Sequence, residues 1–121
     1  MTVNKWSTTA ATNDDVDSTI NLQEGQSPGS LNNSVPAMMA AIAKWRDDMS
    51  GNVVTAGTAS AFTVTTNQVF ASLTDGLMIT VRMSARNNAG ATLNVDSLGA
   101  VAIGTLYGTA IEAGMLPSGS I

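Results

Sequence analysis

The chain has 121 residues, a formal net charge of −4 and a pI near 4.3, and it contains neither Cys nor His. Those absences exclude disulfides, Cys or His nucleophiles, Ser-His-Asp relays and the usual zinc sites, while five dispersed cations (Lys5, Lys44, Arg46, Arg82, Arg86) leave no basic patch for nucleic acid. Only 12% of residues are charged, about half the roughly 25% of ordinary globular chains, so a monomer would expose a poorly solvated surface unless partners cover it.

Residues 1–30, "MTVNKWSTTAATNDDVDSTINLQEGQSPGS", hold few large apolar side chains and no helical or strand period. A segment of that composition is expected to lack a core of its own. It is then either a disordered leader or an extended anchoring arm whose isolated apolar residues Trp6, Ile20 and Leu22 insert into grooves of a partner. Gly25, Pro28 and Gly29 punctuate its end. No signal-peptide core and no run of about 20 apolar residues is present, so neither an amino-terminal export signal nor a membrane partner is expected.

"LNNSVPAMMAAIAKWRDDMSG", residues 31–51, predicts a helix. Asn33 or Ser34 suits the N-cap, Pro36 the first turn, and Gly51 the left-handed residue after the last turn. Alanines 37, 40, 41 and 43 favour the helix intrinsically. Leu31, Val35, Met38, Ile42, Trp45 and Met49 follow one another at intervals of 4, 3, 4, 3 and 4, the 3.5-residue period of a coiled-coil seam. From residue 34 to 49 the helix would run about 24 Å at 1.5 Å per residue, little more than two heptads. Two placements follow: Val35, Met38, Ile42, Trp45 and Met49 form an oligomer interface, or the helix packs on its own strands.

Residues 52–121 change to strand texture and predict a small antiparallel, β-sandwich-like module. Residues 77–85, "LMITVRMSA", alternate best of all, with Leu77, Ile79, Val81 and Met83 on one face. "NVVTAG", "AFTVTT" and "ATLNVDSL" read as further strands, "RNNAG" as a turn, and "GAVAIGTLYGTAIEAGML" as a hairpin turning at Tyr107 and Gly108. The expected core is Val54, Phe62, Val64, Phe70, Leu77, Ile79, Val81, Leu93, Val95, Ile103 and Ile111. "LPSGSI" trails into a further strand, completed by a neighbour or by a longer protein. The fold class is therefore α+β, mostly β: an arm, one central helix and a strand module.

Chemistry is sparse. Asp14, Asp15, Asp17 and Glu24 are hard oxygen ligands, but with Asp15 as position 1 of a calcium loop, position 6 is Ile20 instead of Gly and position 12 is Gln26 instead of Glu. Asp75, Asp96 and Glu112 sit in apparent turns or on outward faces, not in the cleft that a glycosidase acid needs. "SLGAVAIG" has neither the Lys-Ser/Thr nor the strand-to-helix setting of a phosphate loop. Arg82 and Arg86 read as solubilising charge. The chain is expected to be no enzyme and to need no cofactor or metal.

With these residues in view, the chain resembles phage tail-fibre proteins in their virion-proximal amino-terminal part. The resemblance rests on "DSTINLQEGQSPGSLNNS" and "AMMAAIAKWRDDMSG", with "EGQSPGSLNNS" its most specific piece, and continues through "GTASAFTVTT", "LTDGLMITVRMSARNNAGATLNVDSLGAVAI" and "GTAIEAGML". It departs at Val35 and Pro36, where relatives often carry a small residue and then Arg. The resemblance implies a homotrimer with a β-rich shaft, located in the virion after assembly in the host cytoplasm, and an arm docked on tail or baseplate proteins. It places these residues at the attachment end of a fibre that recognises its host through further domains. Two readings of another class compete with it: a carbohydrate- or receptor-binding module, and a fragment of a depolymerase whose enzyme lies downstream.

Overall fold

A computed structural model describes residues 3–121. The chain divides into two units, one up to Arg46 and one from Asp47 to Ile121. Its elements are two 3₁₀ turns (Val3–Lys5, Ala10–Thr12), helix α1 (Pro28–Met49) and six short strands: β1 (Val53–Val54), β2 (Ala56–Thr58), β3 (Ala61–Val64), β4 (Val81–Arg82), β5 (Thr92–Val95) and β6 (Ala100–Ala102). One helix with two small sheets is an α+β fold.

The first unit corrects the expectation of a coreless segment. Ile20 is only 4% exposed, and the chain around it is fixed by backbone bonds from Ile20 N–H to the Asp17 carbonyl (2.9 Å) and from Leu22 N–H to the Asp14 carbonyl (3.0 Å). Upstream, Ser7 and Asn13 exchange two bonds of 2.7 and 2.8 Å. The segment closes onto α1 at Ser34, whose buried hydroxyl accepts from Asn21 N–H (2.8 Å) and lies 3.1 Å from the Asn21 carbonyl. Local polar bonds supply here what the scarcity of large apolar residues withholds.

Helix α1 begins three residues earlier than the expected residue 31. Ser27, not Asn33 or Ser34, caps it: its hydroxyl accepts from Ser30 N–H (3.2 Å), and Pro28 occupies the first helical position, where a missing donor costs nothing. Pro36 is therefore inside the helix, where it removes the bond that the Asn32 carbonyl would accept. The end is as expected, with Gly51 at φ 78°, a conformation natural to glycine after a last turn. A Cβ on Gly51 would come within 3.1 Å of the Ile121 side chain, so close packing adds to the conformational demand.

The second unit is not purely antiparallel. β1 pairs with β4 in parallel, Val53 opposite Val81, and the four-stranded sheet in the order β2-β3-β5-β6 has a parallel step at its centre, Phe62 opposite Leu93, flanked by two antiparallel pairs. Residues 77–85 yield a strand only at Val81–Arg82. Their side chains still alternate, but their amides bond elsewhere: Thr80 N–H to the Asp48 carbonyl at the helix end (2.9 Å) and Met83 N–H to the Ser120 carbonyl (2.8 Å). Alternation fixes which face a side chain takes, and the partner of the backbone is a separate matter. "LPSGSI" forms no strand, although Gly119 N–H bonds the Met83 carbonyl (2.8 Å).

Two buried clusters make the core, one of Val53, Val64, Phe70 and Val95 and one of Phe62, Met83, Ala91 and Ile111. Val54, expected inside, is 52% exposed, and its neighbour Val53 takes the place, a one-residue shift that exchanges faces. Leu77, Ile79, Val81, Leu93 and Ile103 are half-buried around the clusters. The hairpin turns at Tyr107 and Gly108 as expected, closed by Thr105 N–H to the Thr109 carbonyl (2.8 Å), with Gly108 at φ 77°. In "RNNAG" only Gly90 takes positive φ. Asn87 is instead a buried staple: its side chain donates to the Asn88 and Glu112 carbonyls and accepts from Leu116 N–H, all at 2.8–2.9 Å.

Candidate oligomerisation and docking surfaces

Helix α1 carries two longitudinal stripes in the first unit. Ser34 and Ala41, one heptad apart, are buried, Ser34 against Asn21 of the preceding segment, with Ala37 and Met38 half-buried beside them. Leu31, Val35, Met39, Ile42 and Trp45 lie around the helix from that line and are 45 to 67% exposed. At about 100° per residue the exposed stripe is centred roughly 90° from the buried one, so one apolar sector is shared between an internal contact and open surface. Of the expected interface residues, Val35, Ile42 and Trp45 are on the open stripe, and Met38 borders it. Met49 is half-buried and falls in the second unit. Met39, absent from the 3.5-residue count, is the most exposed of the stripe.

Trp6, Ile20 and Leu22 do come together, but as a groove. With Val16 and Met38 they line a cavity of about 170 Å³ in the first unit. Ile20 forms its buried floor and cannot insert into a partner, which corrects its expected role, while Trp6 is half-buried and Leu22 stands at the rim. A segment expected to insert thus presents a small apolar receptacle.

In the second unit the sequence gives no sign of a cradle built by two acids. Asp48, fully buried at the end of α1, accepts from the backbone and side-chain N–H groups of both Asn67 and Gln68 (2.7–3.1 Å). Asp96, at φ 50°, accepts from Thr66 N–H and hydroxyl and from Phe70 N–H (2.7–2.8 Å), and is therefore not the outward, solvated residue expected. Val69 N–H bonds the Thr66 hydroxyl (2.9 Å), so every amide from 66 to 70 ends on a side chain. The turn so held puts Val69 at φ 53°, a β-branched residue in left-handed backbone, with its side chain exposed. Gln68 Oε1 is buried with no hydrogen-bond partner. Because both acids spend their oxygens on amides and, for Asp96, the Thr66 hydroxyl, neither is placed for acid-base chemistry.

Among the described residues no group of three His, Cys, Asp or Glu side chains is close enough to hold a metal ion, and no helix is long and apolar enough to cross a membrane. Compared with known proteins, the chain matches no family model, no curated protein and no solved structure.

Proposed function

We propose that the chain is a structural component of a phage tail fibre, homotrimeric, whose first unit anchors the fibre to tail or baseplate proteins of the virion and whose second unit begins a β-rich shaft, the two sheets forming a sandwich-like module. The single observation that carries this is the apolar stripe Leu31, Val35, Met39, Ile42 and Trp45, left open on a helix whose adjacent stripe is already covered. A charge-poor chain with such a stripe has an unfilled contact, and a nearly 3.5-residue spacing suits copies of the same helix. The receptacle floored by Ile20 suits an apolar side chain of a docking protein.

Magnitudes say how far the helix goes alone. Full burial of an aliphatic side chain stabilises by about 1.5–3 kcal/mol, so covering five half-exposed ones contributes on the order of 5 kcal/mol per chain. Each association step costs about 4–15 kcal/mol in lost freedom. A two-heptad seam is therefore marginal by itself, and the second unit must add contacts.

Light scattering at micromolar concentration is expected to give three chains, and the double variant Ile42→Asp with Trp45→Asp to give one. A clean monomer for the unmodified chain overturns the proposal, and a trimeric double variant moves the interface off the helix. The competing carbohydrate- or receptor-binding reading has one observation in its favour, the exposed Tyr107, and predicts glycan-array signals that Tyr107→Ala removes.

A further inference from the structure

The chain holds one Asp-Gly step, Asp75 and Gly76, and no Asn-Gly step. The two residues form the middle of a turn closed by Leu77 N–H on the Thr74 carbonyl (3.2 Å), with Gly76 at φ 84° in the third position, where a positive φ calls for glycine. Both are exposed. Among the described residues the Asp75 carboxylate accepts no hydrogen bond and Gly76 N–H donates none. No atom lies within 4 Å of the place that a Cβ on Gly76 would take. A carboxyl group and the amide nitrogen that follows it are therefore both unengaged, in open space and free to meet.

We propose that Asp75 is a spontaneous modification site, at which the folded chain converts its own backbone to an isoaspartyl linkage. The Gly76 nitrogen bonds Asp75 Cγ and closes a succinimide ring; the amide proton, one solvent proton and one carboxylate oxygen leave as water. Water then opens the ring, either at Cγ, which restores Asp75, or at the main-chain carbonyl carbon, and a proton returns to solvent in both cases. The second route runs the main chain through Cβ and Cγ and leaves the α-carboxylate free. Nothing is oxidised or reduced, and water is the sole co-reactant.

The fold protects the comparable steps. Asp17, before Ser18, is buried and accepts from the Thr19 N–H and hydroxyl (2.9 and 2.7 Å). Asp96, before Ser97, is held by Thr66 and Phe70. Asn33, before Ser34, lies inside α1, where the following amide is committed to the helix. The change at Asp75 also has a structural consequence, because it lengthens the main chain by one C–C bond, about 1.5 Å. The extra atom falls just before Leu77, Ile79 and Val81, which pack against the Val53, Val64, Phe70 and Val95 cluster, and before Thr80, whose amide bonds the Asp48 carbonyl.

The test incubates the full chain for several weeks in warm, neutral, heavy-oxygen water, since each ring opening places one heavy oxygen on the residue. Digestion and fragment mass spectrometry then locate the label, and Asp-N protease, which cuts before Asp and not before isoaspartate, reports the linkage. Label at Asp75 alone is expected in the folded chain, with cutting at 75 lost in step and no label at that position in Asp75→Glu, whose longer side chain closes the ring poorly. The chain unfolded in guanidinium is expected to label Asp17 and Asp96 as well. A folded chain that gains no label at Asp75 while the unfolded one does, or that labels Asp17 or Asp96 equally, overturns the proposal. Asp75→Asn provides a second measurement: loss of ammonia from the amide is expected to make conversion at least several-fold faster, and an equal or slower rate shows that the turn blocks the ring. Once converted, the chain is expected to melt a few degrees below Asp75→Glu treated alike, and equal melting overturns the structural consequence.

Discussion

Asp48 is the residue on which the second unit turns, because its four accepted bonds all come from Asn67 and Gln68, about twenty residues further along. Hydrogen bonds to a charged group contribute about 1.5–3 kcal/mol each, and removing the acceptor leaves buried donors unsatisfied. Asp48→Ala is therefore expected to lose on the order of 3 kcal/mol or more in urea unfolding, with Asp48→Asn between it and the parent. A loss under about 1 kcal/mol would show that water replaces the carboxylate freely. Val69 makes the opposite case. A left-handed β-branched residue stores about 1–3 kcal/mol of strain, and glycine there gives back about 0.5–1 kcal/mol through the unfolded chain. Val69→Gly is expected to raise the melting temperature by a few degrees. If it lowers it instead, the exposed side chain has a contact worth more than the strain.

For the elements, helix α1 offers the plainest test. Pro36 lies inside it, and an interior proline costs about 3 kcal/mol in an exposed helix. Pro36→Ala should raise helix content and thermal stability in circular dichroism, while Ser27→Ala should cost about 1 kcal/mol as a lost cap. The stripe through Val35, Ile42 and Trp45 was readable because a helical period is written in neighbouring residues. The helix start was hidden because "SPGS" carries the same letters as a loop, and only the bond from Ser30 to Ser27 distinguishes them. Phe62, Val64, Val95 and Ile111 were legible as core from alternation alone. Strand pairing was not: residues 77–85 alternate like a strand while Asp48 and Ser120 take their amides, and nothing local specifies acceptors so far away. The acid cradle at 66–70 escaped for the same reason, since Asp48 and Asp96 become informative only once the chain has brought them there.

At the scale of the whole molecule, few charges and several open apolar surfaces are what the proposed trimer would draw on. If three copies are linked to folding, a tenfold increase in protein concentration should raise the melting temperature by a few degrees, whereas a monomer's would not move. Salt should matter little, because only 12% of the residues are charged. The parallel pairings, Val53 with Val81 and Phe62 with Leu93, carry a further consequence that concerns time instead of stability. Joining positions some thirty residues apart is slow, while a helix turn closed by Ser27 and a bridge from Asp17 to Ile20 need only local search. The first unit is then complete while the second is still finding its partners. Pulse-labelling by hydrogen exchange should protect the amides of α1 before those of β5. If the proposed fibre role holds, that delay would let chains be gathered and aligned before the apolar interior of each module commits to its own copy.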